Sequence, residues 1–147
     1  MTHSEIDCIF CKIASGRAPA YRIAEDELAY AILDLNPFTK GHCLILPKRH
    51  VAWWHEMTEA ETTSVFNLAR VVANRMMKAF QPDFVMTYAR GKRIPHTHIF
   101  LIPTSNGDLI DRYFNALEKI QEAPPQLVHL WKQAEMEDAA RLLREVE

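Results

Sequence analysis

The stretch IPHTHIFLIP, residues 94–103, places two imidazoles two positions apart within an apolar run. If this run is a β-strand, its side chains alternate between two faces, so His96, His98 and Phe100 share one face. One interpretation is purely structural, with two half-buried imidazoles whose hydrogen bonds are satisfied. Two histidines at strand spacing, beside the three cations of the segment ARGKR, favour a functional site instead.

The segment CIFC contains a second pair of reactive side chains, Cys8 and Cys11. Its spacing fits a zinc site, a thioredoxin-like dithiol or two packed thiols. A redox dithiol is expected to follow a strand and open a helix of a βαβ unit, whereas this pair precedes the predicted sheet. Zinc would need two more ligands, and neutral imidazoles could complete a tetrahedron around two thiolates. Spacing does not choose among the histidines, which are His3, His42, His50, His55, His96, His98 and His129.

The flanking sequence predicts the elements that position these side chains. YRIAEDELAYAILDL predicts two strands around a turn near residues 25–27, and HCLILPKRH predicts a third strand that ends at Pro47. Thr58 and Glu61 fit a capping box, and the apolar residues behind them recur at helical spacing, which predicts a helix over 58–80. FVMTY and HTHIFLI predict two further strands joined by ARGKR.

Towards the C-terminus, DLIDRYFNALEKI and QLVHLWKQAEMEDAARLLREV predict two helices separated by Pro124 and Pro125. The order of elements predicts an α+β class, an antiparallel sheet with one long inserted helix and a C-terminal helical tail. We expect a single domain over residues 1–147, with its core at about 6–103 and a helical extension at about 104–147.

Composition limits the classes of function. The chain has 147 residues, enough for one buried core, and a net charge of −2 that gives no indication of a nucleic-acid partner. The start MTHSEID lacks the features of a signal peptide, and no apolar run approaches the roughly 20 residues that span a bilayer. Three cysteines, Cys8, Cys11 and Cys43, do not make a disulfide framework. We therefore expect a cytoplasmic protein without a membrane partner.

Four blocks of the sequence, taken in order, resemble the histidine triad (HIT) proteins over roughly residues 6–103. CIFCKI resembles the N-terminal segment of zinc-binding members. ILDLNPFTKGHCLILPKRH resembles the family's Asp-x-x-Pro, Gly-His and Pro-Lys-x-His block. A long predicted helix follows, and GKRIPHTHIFLIP then resembles the signature strand. The joint order and spacing of the blocks make the resemblance specific.

The resemblance implies hydrolysis or transfer of nucleotidyl groups at the α-phosphorus of purine nucleoside phosphates. The substrate classes are dinucleoside polyphosphates, nucleoside phosphoramidates and nucleotide sugars. His98 would be the nucleophile and would form a nucleotidyl-histidine intermediate, with its Nδ1–H held by an acceptor so that Nε2 faces phosphorus. The resemblance also implies a structural zinc ion bound by Cys8, Cys11, His50 and His96.

Other positions take implied roles in binding the nucleotide. Asp34 would accept hydrogen bonds from the ribose hydroxyls, although an aspartate after a strand is also a common turn residue. Phe10 and Ile13 would form the apolar wall of the base pocket, or simply pack in the core. His42 would lie at the site-facing end of its strand, or be a surface imidazole.

Three positions depart from the family pattern. Phe100 stands where a third histidine is usual, and Lys92 and Arg93 stand where glutamine and serine are usual. The cations could replace lost contacts to phosphate oxygens, or belong to a solvated loop. The first hypothesis is therefore a zinc-stabilised nucleotide hydrolase or transferase, and the alternative is a nucleotide-binding module with little or no activity. A thiol redox protein is a third interpretation. The family resemblance also implies a homodimer formed through the sheet edge and the long helix.

Overall fold

The sheet and the long helix lie in the first of two compact units, Met1–Asp108 and Leu109–Glu147. The computed structural model describes residues 5, 7–122 and 125–146. The elements of the first unit are α1 (Ile9–Ala14), β1 (Arg22–Glu25), β2 (Ala29–Leu33), β3 (Cys43–Pro47), a 3-10 turn (Trp54–Glu56), α2 (Glu59–Phe80), β4 (Phe84–Tyr88) and β5 (Ile99–Thr104).

The five strands form one antiparallel sheet in the order β1-β2-β3-β5-β4. Strands β2 and β3 are continuous apolar runs and are almost wholly buried, as expected for central strands covered on both faces. Helix α2 covers one face and α1 covers the other. This arrangement confirms the predicted α+β class, with one long helix inserted into an antiparallel sheet.

Alternation along the central strands separates two apolar clusters. Ala29, Ala31 and Ile45 pack in the cluster that contains the buried face of α2. Tyr30 and Ile32 point the other way and pack in the cluster that contains α1. Because side chains alternate between the two faces of a strand, the sheet packs against α2 on one face and against the short helix α1 on the other.

Helix α2 begins where the sequence predicts. The Thr58 side chain accepts a hydrogen bond from the Glu61 N–H, and the Glu61 carboxylate accepts one from the Thr58 N–H, which confirms the capping box. Arg49 adds two hydrogen bonds of 2.6 and 2.8 Å to the same carboxylate. The start of α2 is thereby tied to the turn that follows β3.

The histidine segment differs from the predicted strand at its start. Strand β5 begins at Ile99, so His96 and His98 precede it. The backbone before Ile99 bonds elsewhere, because the Thr97 N–H donates to Val51 O at 2.7 Å. The expected alternation holds beyond that point, where Phe100 packs on the α1 side and its two neighbours pack on the α2 side.

The second unit contains α3 (Leu109–Glu122), a 3-10 turn (Val128–Trp131) and α4 (Gln133–Glu145). The first predicted tail helix is confirmed, but the second is shorter than predicted. Lys132 has extended backbone angles, φ −61° and ψ 138°, and interrupts the helix between the turn and α4. Pro124, half of the predicted separator, lies outside the described residues. No helix in the described part of the chain is long and apolar enough to cross a membrane. The single-domain organisation stays a prediction.

Candidate active site and metal centre

Four potential metal ligands converge from three parts of the first unit, and we call them the metal cluster. Cys8 is the N-cap of α1 and Cys11 lies in its first turn, so their spacing of three residues puts both thiols on one side of the helix. His50 comes from the turn after β3, and His96 from the segment before β5. The cluster therefore joins α1 to the turn that follows β3 and to the segment that precedes β5.

The geometry of the metal cluster fits a tetrahedral ion. One ligand atom from each residue lies within 4.8 Å of all the others. The Cys11 Sγ atom lies 3.3 Å from His50 Nδ1 and 3.5 Å from His96 Nδ1, and Cys8 Sγ lies 3.5 Å from His96 Nδ1. Zinc bond lengths and a tetrahedral angle give a sulfur–nitrogen separation of about 3.5 Å. The four residues could therefore hold a metal ion, and two thiols with two imidazoles suit zinc.

Hydrogen bonding and burial set the protonation of these ligands. His96 Nε2–H donates to Pro47 O at 2.8 Å, which leaves the Nδ1 lone pair directed at the thiols. Burial lowers the pKa of His96 to about 4, so the ring is neutral. Burial, with the neighbouring Cys8 thiol, raises the pKa of Cys11 to about 12. A bound cation would reverse that preference and stabilise the thiolates.

A cavity of about 550 Å³ opens beside His98. It brings together six of the seven residues that the sequence assigns to catalysis and substrate binding, which are Phe10, Ile13, Asp34, Lys92, Arg93 and His98. The exception is His42. All of the lining residues belong to the first unit. One concave surface thus combines an imidazole, a carboxylate, apolar side chains and cations, as ligand sites commonly do.

The ring of His98 is held in one orientation. Its Nδ1–H donates to the carbonyl oxygen of His96 at 2.7 Å, which leaves the lone pair on Nε2. The ring is 9% exposed and lies between Phe10 and Phe100, with ring centroids 5.1 and 5.6 Å away. Because the carbonyl belongs to a potential metal ligand, the backbone of the metal cluster also orients His98.

The apolar wall formed by α1 is braced from the sheet. The Tyr30 hydroxyl donates to Phe10 O at 2.8 Å, and Arg22 donates to Ile13 O. Arg22 also lies over the Tyr30 ring, 5.4 Å from its centroid. These contacts tie the carbonyl oxygens of α1 to side chains of β1 and β2. Phe10 and Ile13 consequently face the cavity from a fixed backbone.

Asp34 both stabilises a turn through its side chain and lines the cavity. It follows β2 directly, and its Oδ1 atom accepts a hydrogen bond of 2.7 Å from the Asn36 N–H. Its side chain is 17% exposed and lines the cavity. The two interpretations of this residue are therefore compatible.

The structure corrects the expected placement of His42. The ring is 1% exposed, so it is neither a surface imidazole nor one of the described residues that line the cavity. It stacks on Phe38 with centroids 5.5 Å apart and meets Phe100 edge-on at 5.0 Å. The ring is buried because His42, two residues before Leu44, points to the same face of the sheet, where Leu44 packs in the cluster that contains α1.

His42 supports the cavity wall from behind. Its Nδ1 atom accepts from the Phe38 N–H at 3.2 Å, which places the proton on Nε2. Nε2 lies 3.7 Å from Asp34 Oδ2, beyond a hydrogen bond, and has no partner among the described residues. Burial lowers the pKa of His42, which keeps the ring neutral.

Comparison with known proteins decides the family. Residues 15–107, more than half of the chain, match the family profile described as the HIT domain. The chain belongs to the HIT domain family. Cys8 and Cys11 precede the matched range, so the metal cluster of this HIT-domain protein combines residues inside and outside the family core.

Named relatives are similar over most of the HIT domain. An adenosine 5'-monophosphoramidase of Schizosaccharomyces pombe is 35% identical over 106 residues, which cover 69% of this chain and 77% of the relative. An adenylylsulfatase of Arabidopsis thaliana is 34% identical over 109 residues, which cover 71% of this chain but only 55% of the relative. A Zn-bound histidine triad family protein from Mycobacterium smegmatis superposes with a TM-score of 0.67 and 30% identity, covering 72% of this chain and 81% of that one.

Tyr88 and Arg90 are among the cavity residues of this HIT-domain protein to which the sequence analysis gave no role. Tyr88 lies directly opposite Phe100 in the pairing of β4 with β5, and their ring centroids are 4.6 Å apart. Arg90 belongs to the same segment as Lys92 and Arg93, so the cationic character of ARGKR was the available signal. Tyr88 had no local signal, because its position depends on strand register.

Proposed function

We propose that this HIT-domain protein hydrolyses or transfers nucleotidyl groups at the α-phosphate of purine nucleoside phosphates. The observation that carries the proposal is the hydrogen bond of 2.7 Å from His98 Nδ1–H to His96 O, within a cavity that also contains Asp34. That bond leaves Nε2 as the nucleophilic nitrogen and stabilises the positive charge that the ring gains on attack.

In this mechanism, the Nε2 lone pair of His98 attacks phosphorus and displaces the leaving group. The product is a nucleotidyl-histidine that keeps its Nδ1 proton on the His96 carbonyl. Attack by water then breaks the phosphorus–nitrogen bond and returns its electron pair to Nε2. An alcohol or phosphate in place of water would give transfer.

The other cavity residues bind and orient the nucleotide in this proposal. Asp34 accepts hydrogen bonds from the ribose hydroxyls, and Phe10 with Ile13 contacts the base. Lys92 and Arg93 contact phosphate oxygens. Support comes from their common place around one cavity, which combines apolar side chains, a carboxylate and cations. His42 acts indirectly, through the wall formed by Asp34 and Phe100.

We assign a structural role to zinc in the metal cluster. Cys8, Cys11, His50 and His96 would hold the ion, which supplies positive charge for two thiolates and no redox chemistry. It would fasten α1, and with it Phe10, to the backbone that orients His98. The burial of both thiols argues against a thiol redox function.

The named relatives support this function at the level of nucleotide hydrolysis. One is named a phosphoramidase of adenosine 5'-monophosphate and the other an adenylylsulfatase. Both names describe the release of a group from an adenylyl unit. The test is a panel of dinucleoside polyphosphates, adenosine phosphoramidates and nucleotide sugars, with wild type, His98→Ala and the control His129→Ala in the second unit. We expect turnover that depends on His98 and not on His129.

A nucleotide-binding module is the second candidate, and Phe100 is the observation that favours it. The phenyl ring lies 5.6 Å from the His98 ring, at the position that we interpret as the third of the triad, and it donates no hydrogen bond. Nucleotide binding without any turnover across the panel would establish this candidate instead.

We also propose a homodimer. Strand β4 is a terminal strand of the sheet, and its first residue Phe84 is 41% exposed; Phe80, at the end of α2, is 42% exposed. Pairing of two such edges would cover exposed backbone groups and apolar side chains. Sedimentation equilibrium checks this expectation, since a mass of one chain at micromolar concentration would contradict it.

A further inference from the structure

The loop between β4 and β5 brings three cations to the cavity that contains His98. Arg90, Lys92 and Arg93 all line it. Gly91 lies between them with φ 58°, and a Cβ atom built there would be 4.0 Å from His98 Cε1. In an imidazole, Cε1 lies between the two ring nitrogens, so the backbone of this loop passes beside the nitrogen-bearing side of the His98 ring. We call residues 89–93 the cationic loop.

The charges of the cationic loop are not neutralised within the described part of the chain. None of the ion pairs between described residues involves Arg90, Lys92 or Arg93, and all three side chains are exposed. Asp34 is the one carboxylate among the described lining residues. The cavity therefore presents an excess of positive charge to a bound ligand, which favours an anionic group beside His98.

Among the described residues, the part of the wall formed by Phe100 and Tyr88 beside His98 contains no imidazole and no carboxylic acid. Phe100 supplies a phenyl ring there, and Tyr88 packs edge-on against it at 4.6 Å. This matters because leaving groups differ in what they need. An amine leaves phosphorus only when its nitrogen receives a proton, whereas phosphate, pyrophosphate or sulfate leaves as a stable anion. The latter needs only stabilisation of negative charge, which cations provide.

From these two observations we infer that the site selects leaving groups that depart as multiply charged oxyanions over leaving groups that depart as amines. Arg90, Lys92 and Arg93 are the specificity-determining residues. This inference rests on the proposed nucleotidyl chemistry of His98 and narrows its substrate class to nucleotide anhydrides with phosphoric or sulfuric acids.

The first step balances without a protein acid. The Nε2 lone pair forms the nitrogen–phosphorus bond, and the phosphorus–oxygen bond to the leaving group breaks. Its electron pair stays on the departing oxygen, where the cationic loop stabilises the charge. Water supplies both the oxygen and the proton in the second step, and the proton passes to solvent.

The test compares substrates that share an adenosine 5'-phosphoryl group. Values of kcat/KM are measured for ATP with pyrophosphate as the leaving group, for adenosine 5'-phosphosulfate, and for adenosine 5'-phosphoramidate. The variant carries Arg90→Gln, Lys92→Gln and Arg93→Gln together, all in an exposed loop. The matched control is Arg70→Gln, an exposed cation on α2 outside the cavity lining. Thermal melts establish that each variant is folded.

We expect wild type to prefer the two oxyanion leaving groups by about tenfold or more. The triple variant should lose most of that preference, because kcat/KM should fall further for the two substrates with oxyanion leaving groups than for the phosphoramidate. The preference should also fall as ionic strength rises. Arg70→Gln should leave the ratio unchanged.

Two results separate this inference from the function on which it rests. Turnover that requires His98, with a ratio of rates that the triple variant does not change, would overturn the charge selection and keep the nucleotidyl mechanism. A preference for the phosphoramidate in wild type would overturn it equally. Failure to turn over any of the three substrates would remove both proposals.

Discussion

The metal cluster and the cationic loop both contact the segment around His98, but they are built in opposite ways. Cys8, Cys11 and His96 are buried, and the ligand atoms of the cluster lie within 4.8 Å of one another. The side chains of the cationic loop are exposed and form none of the ion pairs between described residues. The first region satisfies its polar groups internally, whereas the second leaves its charge to a ligand. On the proposed function, this contrast would place stability and substrate choice in separate regions that both contact the segment around His98.

Removing the metal should have the largest effect. Chelation, or Cys11→Ser, would leave the other ligands without the ion that joins them, and we expect the melting temperature to fall by about 10 °C or more. Cys43→Ser is the matched control, because Cys43 is a buried thiol outside the cluster. Elemental analysis of protein purified without chelators should give about one zinc per chain. A metal-free protein whose melting temperature is unchanged would show that the metal cluster does not stabilise the fold through a metal ion.

The ribose contact should give the next largest effect, and it concerns binding alone. Asp34→Asn keeps an oxygen for the Asn36 N–H but removes the charge, so ribonucleotide affinity should fall by about 1.5–3 kcal/mol. Affinity for 2',3'-dideoxy analogues should change little. Isothermal titration with both ligand types measures the difference. An equal loss for both would show that Asp34 serves only the turn.

The Phe100 position should give a smaller gain that depends on the leaving group. Phe100→His would place a proton donor beside His98, so turnover of an adenosine phosphoramidate should rise by about tenfold, less than a fully effective donor supplies. Substrates with oxyanion leaving groups should gain less. Steady-state kinetics on both substrates decides this. A loss of activity on both would mean that the aromatic packing with His42 and Tyr88 is needed more than a donor.

The smallest expected effect lies outside both regions, at the start of α2. The hydrogen bonds from Arg49 lower the pKa of Glu61 to about 2, below the roughly 4.3 of an unfolded chain. Since the folded pKa is depressed, this carboxylate stabilises the fold above about pH 4.3 and loses that contribution as the pH falls towards 2. Glu61→Gln should therefore cost about 1–2 kcal/mol at pH 7, with the difference from wild type shrinking in acid.

Urea unfolding at several pH values checks the Glu61 prediction. Wild type and variant share the metal cluster, so acid release of a metal cancels in their difference. A difference that stays constant from pH 7 to pH 3 would contradict the ionic contribution.

The sequence predicted local features well and long-range ones only in part. The helix starting after Thr58 was predictable because its capping box and apolar spacing are local. The central strands were predictable because they are continuous apolar runs bounded by turns. Lys132 interrupts a predicted helix, since helical periodicity does not show where a 3-10 turn replaces the α-helix.

For the candidate site residues too, local features were predictable from the sequence and long-range ones were not. Spacing alone could not choose His50 and His96 among seven histidines, because the ligands meet only after β3 and β5 pair. The family resemblance supplied that choice. His42 lies on the same face as the cavity-lining Leu44, but its ring is buried against Phe38 and Phe100 rather than exposed to the cavity. Tyr88 was missed because its place beside Phe100 depends on which face of the sheet it occupies. Strand register, which the sequence did not specify, sets that face.

The central claim is that His98 attacks phosphorus, and the most direct measurement is mass spectrometry of protein quenched during turnover of an adenylyl substrate. Quenching in alkali preserves a phosphorus–nitrogen bond. We predict an adenylyl adduct on the peptide containing His98 in wild type and in His129→Ala, and neither adduct nor turnover in His98→Ala. Undiminished turnover by His98→Ala would contradict the account.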